Sequence, residues 1–406
     1  MSQQGPILIV SSTDAPPLAK VLGDAGLFPV LDIRWADAPR AIAQIQPAAI
    51  LAEISGASRQ SLDSFAKQAA AAKPYLPLIA IDPSAELPEN AIPFSQGSGK
   101  PERLVARLNA ALRVRTLHST VLRRARGAIG VPGNDPVRDA TVLLIGRGAS
   151  YPALSVALGE RMGVVGALSI EAAAKHLGDR DVDGVVLGEG FTLRVMDAFL
   201  TVLSEDSRFR SLPVILTSEA LAPTYDLPNL EIITGEPLRV AANALPLIRQ
   251  HAFEAYLGRA LRSVEKGGLL DPQTGLLTRA AFSRDFADAV EQTRSHGGGL
   301  SVARFTFDPP RGPAQRDGGR IISRLMRKMD FGAVHEDGSI IVVFAETNLR
   351  TAHSIARRLS SVMRHTSHGK GKPQSAPMVT VATMTSSDSV RSLLARLYED
   401  GRREAS

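Results

Sequence analysis

The chain has 406 residues, 44% of them hydrophobic and 22% charged, with a net charge of +6 and no cysteine. This composition belongs to a globular protein of two to four domains, and it excludes disulfides, thiolate metal sites and cysteine nucleophiles. No apolar run approaches the roughly 18 residues that span a bilayer. The N-terminal MSQQGPILIVSS lacks the regions of a secretory leader, so a cytoplasmic location is expected.

The first strand is expected at Pro6 to Val10, an unbroken aliphatic run, followed by helical spacing around Leu18 to Leu22. Strands follow at Ala48 to Ile54 and Leu76 to Ile81, then a helix at Leu104 to Leu112. Short apolar strands alternating with helices imply a parallel sheet covered on both faces. One such α/β unit is expected over residues 5–125. The Gly, Pro, Asp and Asn-rich stretch 126–140 reads as a linker.

The same programme then restarts over 138–262, with strands at Thr141 to Ile145, Val185 to Leu187 and Leu212 to Thr217. Helices are expected at Ser150 to Arg161 and Leu238 to Arg262. Two such units in tandem form a weak internal repeat. The remainder, 268–406, mixes helices (280–294, 318–328, 348–364) with strands (301–307, 340–345, 378–384). Its strands Phe331 to Val334 and Ile340 to Phe344 flank a polar turn, which predicts an antiparallel α+β domain. Basic clusters at Arg113 to Arg126 and Arg320 to Lys328 read as solvated helix faces. No nucleic-acid-binding module is visible, and aromatics are only 5%, so neither nucleic acid nor membrane is expected as a partner.

The stretch Asp271 to Arg279, DPQTGLLTR, resembles the opening motif of GGDEF domains, the diguanylate cyclases. The hairpin turn Glu336-Asp337-Gly338-Ser339-Ile340 stands where that family keeps its signature turn, and VTVAT (379–383) and LLARLY (393–398) resemble its closing strand and helix. The two preceding units resemble response-regulator receivers. The whole chain is thus similar to PleD-type proteins: receiver, receiver, GGDEF. The resemblance implies two flavodoxin-like doubly wound domains followed by an α+β nucleotidyl-cyclase-like domain.

The same resemblance implies lost catalysis. Glu336 and Asp337 replace the two glycines that admit the triphosphate, and negative charge there repels phosphate. The family's other metal-binding Asp aligns with Thr306, or with Asp308 if the alignment slips by two. Its guanine-reading Asn is Thr278, the segment PPRGPAQRDG is too short for the usual helix, and its late Lys has no counterpart near Glu399 to Arg402. The expectation is no catalytic residue, no metal and no required cofactor.

The family's inhibitory product site is R-x-x-D just before the turn. Arg327-Lys328-Met329-Asp330 matches it, and a further family arginine falls on Arg358. The resemblance makes Arg327, Asp330 and Arg358 a cyclic di-GMP site, and the chemistry agrees. Arginine forks suit phosphate and the guanine edge, and a carboxylate can accept from guanine N–H groups. Arg294 is a further candidate, reaching in from a neighbouring subunit.

In the receiver-like units, the phospho-acceptor positions read Glu53 and Gly188, the first acidic pair reads Ser11-Ser12 with Asp14 nearby, and the second reads Gly146-Arg147. Lys100 keeps the family's Lys-Pro, whereas the second unit has Glu236-Pro237. Neither unit is expected to accept phosphate. A Glu53–Lys100 pair could mimic the phosphorylated state or be structural. The reading is a non-catalytic, homodimeric cyclic di-GMP receptor that relays to a protein partner. The alternatives are a ligand-free scaffold and, last, an active cyclase.

Overall fold

The computed structural model describes residues 5–12, 17–26, 29–55, 57–83, 85–96, 101–124, 140–179, 181–218, 225–264, 269–271, 273–365 and 376–403. The 126–140 linker, save Ala140, lies outside them, as do Asp14 and Lys100.

In the first unit the chain order is β1 (Ile7–Ser11), α1 (Pro17–Asp24), β2 (Val30–Arg34), α2 (Ala38–Ile45), β3 (Ala49–Glu53), α3 (Arg59–Ala71), β4 (Leu78–Ile81), β5 (Ala91–Phe94) and α4 (Pro101–Arg124). All strand pairs are parallel, in the order β2-β1-β3-β4-β5. Alternation along β1 explains its unbroken apolar run. Ile7 and Ile9 face Leu18, Leu22, Leu104 and Leu108 on one side. Leu8 and Val10 face Ile42, Leu62 and Phe65 on the other.

The second unit contains β6 (Thr141–Ile145), α5 (Tyr151–Gly159), β7 (Gly163–Ala167), α6 (Ile170–Asp179), β8 (Gly184–Leu187), α7 (Leu193–Glu205), β9 (Val214–Leu216), β10 (Leu230–Ile232) and α8 (Pro237–Val264). Its sheet order, β7-β6-β8-β9-β10, repeats that of the first. Both orders are the flavodoxin-like 2-1-3-4-5 arrangement. The weak repeat in sequence is therefore a strict repeat in topology.

The two units share their last helices. Leu247 of α8 sits in the core of the first unit, and Asn243 Oδ1 accepts the buried Leu87 N–H. In return, Arg107 of α4 enters the second unit with its side chain fully buried, pairing with Glu231 of β10 at 3.1 Å. Its guanidinium also donates to the carbonyls of Pro93, Pro228 and Leu230. Glu231 Oε1 takes the Ser95 N–H at 3.0 Å. A buried pair costs desolvation, and these extra hydrogen bonds are what offset it.

The third unit has α9 (Arg279–His296), β11 (Leu300–Thr306), α10 (Pro313–Leu325), β12 (Phe331–Val334), β13 (Ile340–Ala345), α11 (Leu349–His365), β14 (Met378–Thr383) and α12 (Val390–Arg403). Its four strands are antiparallel neighbours in the order β12-β13-β11-β14. Helices α9 and α12 cover one face through Phe282, Phe286, Leu393 and Leu397. Helices α10 and α11 cover the other through Ile322, Ala352, Ala356 and Leu359. Helix α10 begins five residues before the expected 318, because Pro313 suits the first turn of a helix and does not break it.

Helix α4 runs to Arg124, twelve residues past the expected end, about 36 Å in all. Its second half packs Val114, Leu117 and Val121 against Leu257, Leu261 and Val264 of α8. Its basic end corrects the expectation of a solvated face. Arg123 and Arg124 are 7% and 5% exposed. Arg124 Nε meets Asp285 of α9 at 2.9 Å, and both guanidinium groups stack over Phe331. Helix α4 thus ties the first unit to both of the others. No helix among the described residues is long and apolar enough to cross a membrane.

Candidate functional site

The β12–β13 hairpin has two ends, and each carries candidate residues. At the turn end, His335 N–H donates to the Ser339 carbonyl and Gly338 N–H to the His335 carbonyl. Gly338 sits at φ +81°, the left-handed position that closes such a three-residue loop. A Cβ on Gly338 would fall 2.9 Å from Pro310 Cβ, so the segment before α10 is folded down on the turn.

The acidic residues of this turn are answered by arginines of the same unit. Arg279 pairs with Glu336 at 2.5 Å. Arg304 pairs with Asp337 at 2.8 Å while its guanidinium lies 4.2 Å over the Tyr398 ring. Arg311 donates to the Glu336 carbonyl. Burial opposes ionisation of Asp337, but the Ser339 hydroxyl and N–H and Arg304 outweigh it and hold the carboxyl below its usual pKa. Burial lowers the His335 pKa, so its imidazole is neutral at pH 7. A hollow of about 710 Å³ remains beside the turn, lined by Asp271, Thr278, Arg279, Arg311, His335 and Glu336. Ile340 and Ser339 are buried, and Thr306 is half-buried at the end of β11.

The other end of the hairpin differs. Asp330 is buried, 5% exposed, and its Oδ1 accepts the Ala345 N–H at 3.2 Å. Desolvation raises its pKa to about 7, with Arg327 opposing. The carboxyl therefore fastens the loop to the end of β13 and faces inward. Arg327 and Lys328 are exposed and form no ion pair with any described residue. They line a cleft of about 620 Å³ with Asn109, Arg113 and Arg115 of α4, Glu254 of α8, and Glu346 and Thr351.

Around this cleft, Arg115 donates to the Pro74 and Tyr75 carbonyls. Burial lowers its pKa to about 10, with Glu346 opposing, so it stays cationic at neutral pH. Arg113 meets Glu254 at 3.3 Å. Lys328 reaches α8, its Nζ 3.5 Å from where a Cβ on Gly258 would stand. Arg358 is not at the cleft. It is exposed on α11 two turns beyond Thr351, about 10 Å along the axis. The structure thus brings Arg327 to the cleft, turns Asp330 inward and leaves Arg358 on the outer face. Arg294 lies on α9, where its guanidinium meets Glu291 at 3.3 Å and the Asp388 carbonyl. Sequence reasoning missed Arg113 and Arg115. Their signal was the basic run after Leu112, which only a helix reaching the third unit turns into a cleft wall.

At the carboxyl ends of the first sheet, burial raises the Glu53 pKa, helped by the carboxylates of Asp32 and Asp82. Trp35 Nε1 donates to the Glu53 carbonyl. In the second unit, Gly188 N–H is spent on the Ile145 carbonyl. Arg147 crosses the same edge, bonding the Gly190 carbonyl at 2.8 Å and stacking on Phe191.

No protein-family model and no curated protein matches the chain. Among solved structures, it is similar to the coiled coil and GGDEF domain of DgcB from Caulobacter crescentus in complex with c-di-GMP, at 16% identity over 36% of this chain and 84% of that one, TM-score 0.30. It is similar to the FimX GGDEF domain from Pseudomonas aeruginosa at 17% identity over 34% and 94%, TM-score 0.29. It is also similar to PelD from Pseudomonas aeruginosa in complex with c-di-GMP at 14% identity over 42% and 58%, TM-score 0.25. At such identities and scores, no residue role passes from these proteins to this chain.

Proposed function

We propose that the protein is a non-catalytic signalling protein that takes cyclic di-GMP into the cleft between α4 and the Arg327–Met329 loop and relays the event by protein contacts. The observation that carries this reading is a cleft of about 620 Å³ lined by Arg113 and Arg115 together with Arg327 and Lys328, which form no ion pair with a described residue. A compact dianion with guanine edges suits arginine forks on two walls. The ligand would bridge the first and third units, and it would favour whichever arrangement holds both walls together. The turn end supports the absence of turnover. Its two acids stand where a triphosphate would need neutral backbone, and their arginine partners are already engaged. The two flavodoxin-order units read as receivers whose acceptor positions, Glu53 and Gly188, offer no aspartate.

The test is calorimetric titration of the full-length protein with cyclic di-GMP, wild type against Arg327→Ala and Arg115→Ala. Micromolar binding that both variants weaken is expected. Absence of heat at about 100 μM ligand, near −5.5 kcal/mol of binding free energy, would overturn the receptor reading. A second reading, a ligand-free scaffold, draws on the buried Arg107–Glu231 and Arg124–Asp285 ties that fix the three units together. The same titration separates the two.

A further inference from the structure

The net charge is unevenly distributed. Residues 266–406 carry 21 Lys and Arg against 14 Asp and Glu, whereas residues 1–265 carry 26 against 27. Within the third unit the excess is gathered on one layer. Helix α10 carries Arg316, Arg320 and Arg324, four residues apart and all exposed, with Asp317 its only acid. Helix α11 contains no acid, and Arg350, Arg357 and Arg364 recur every seven residues along its exposed face. At 1.5 Å per residue that ridge is about 21 Å long. Of these six arginines only Arg320 forms an ion pair with a described residue, Asp317 at 3.6 Å.

The strand directions set the two helices antiparallel on one face of the sheet, so the end of α10 lies beside the start of α11. At that shared end each helix exposes a leucine, Leu325 at 45% and Leu349 at 46%. Two ridges of exposed arginine, five of the six without an ion pair to a described residue, would attract any phosphate-rich surface. The leucines narrow the choice. A nucleic-acid backbone gains nothing from an exposed leucine, whereas the headgroup boundary of a bilayer accepts both residue types.

We infer that the outer face of α10 and α11 docks the protein on an anionic phospholipid surface, with the arginines on headgroup phosphates and Leu325 and Leu349 at the acyl boundary. This attachment is peripheral, and it departs from the expectation of no membrane partner. It is independent of cyclic di-GMP, because none of these eight side chains lines the cleft.

The experiment is vesicle flotation of the full-length protein with phosphatidylcholine vesicles, alone or with about one part in three phosphatidylglycerol. Binding to the anionic vesicles only is expected, weakening steeply with salt. Reversal of the ridge (Arg350→Glu, Arg357→Glu, Arg364→Glu) should reduce it at least about 100-fold, since each basic residue near such a surface contributes about five-fold. Leu325→Ser with Leu349→Ser should keep binding at low salt and lose what persists at high salt. All variants should keep the wild-type unfolding midpoint, because the changed residues are exposed. No binding to anionic vesicles, or unchanged binding by the ridge variant, would overturn the inference. Duplex DNA bound through the same ridge, with vesicles left unbound, would overturn it in favour of nucleic acid.

Discussion

The two ends of the β12–β13 hairpin carry similar numbers of charges and treat them in opposite ways. At the turn, every acid has an arginine from its own unit, and Pro310 and Arg311 are folded onto Gly338. At the loop, Asp330 is buried as a backbone acceptor, and Arg327 and Lys328 form no ion pair with a described residue and line a cleft. Charge satisfied within one unit is a closed account of local structure. Exposed cations that form no ion pair with a described residue, with two more arginines on α4 lining the same cleft, can meet an anion from solution. Helix α4 shows the contrast in part: Arg107 and Arg124 are buried on carboxylates, while Arg113, paired with Glu254, and the half-buried Arg115 line the cleft.

The largest effect should come from unsealing a closed site. Arg124→Ala leaves Asp285 buried without its 2.9 Å partner, with Arg284 Nε 3.8 Å away and the Arg123 charge nearby. It should cost about 3–5 kcal/mol, read as a lower denaturant midpoint. An unchanged midpoint would show that the tie between α4 and α9 is not closed after all. The converse change, Arg327→Ala, should move stability by less than about 0.5 kcal/mol while weakening cyclic di-GMP binding by about 1.5–3 kcal/mol. If Arg327→Ala instead unfolds the protein, the contrast between sealed and open charge fails.

Asp330 sharpens the contrast from inside the loop. Its folded pKa, near 7, lies above the 3.8 of an ordinary carboxyl. Between those values the native state holds a proton that the unfolded chain has lost, so stability falls as pH rises from about 4 to about 7 and is flat above. Asp330→Asn keeps the acceptor for Ala345 and cannot ionise. The variant should match wild type near pH 4.5 and exceed it at pH 8, by at most about 4 kcal/mol, with ligand binding nearly unchanged. A large loss of binding would mean that Asp330 leaves Ala345 to meet the ligand.

Much of this was legible in sequence. Unbroken runs such as Ile7 to Val10 announce strands buried on both faces, and the strand restart at Thr141 announces the second unit. Short or amphiphilic pieces were not legible. Strand β2, with Asp32 and Arg34 exposed, and the three-residue β10, interrupted by the buried Glu231, carry no unbroken apolar run. Nor could periodicity show that Arg107 and Arg124 are buried, because their partners lie more than 120 residues away. The R-x-x-D pattern falls on a loop whose Arg327 lines a cleft and whose Asp330 turns inward to the Ala345 N–H. Spacing gives the turn, but whether a carboxyl points in or out depends on the Ala345 N–H left at the end of β13.

The smaller effects test the turn end. Gly338→Ala places a Cβ at φ +81° and 2.9 Å from Pro310. It should cost about 1–2 kcal/mol without altering ligand binding. Smallest of all is Arg279→Ala. Its partner Glu336 is 86% exposed and the arginine 59% exposed, so water screens the pair. The change should shift stability by less than about 0.5 kcal/mol, vanishing in high salt. It also bears on chemistry. Removing Arg279 leaves Glu336 as bare negative charge at the edge of the 710 Å³ hollow, so any residual affinity for GTP there should fall further. A gain in nucleotide affinity, measured by equilibrium dialysis, would mean that Arg279 blocks a competent pocket, and the turn would have to be counted among the open sites.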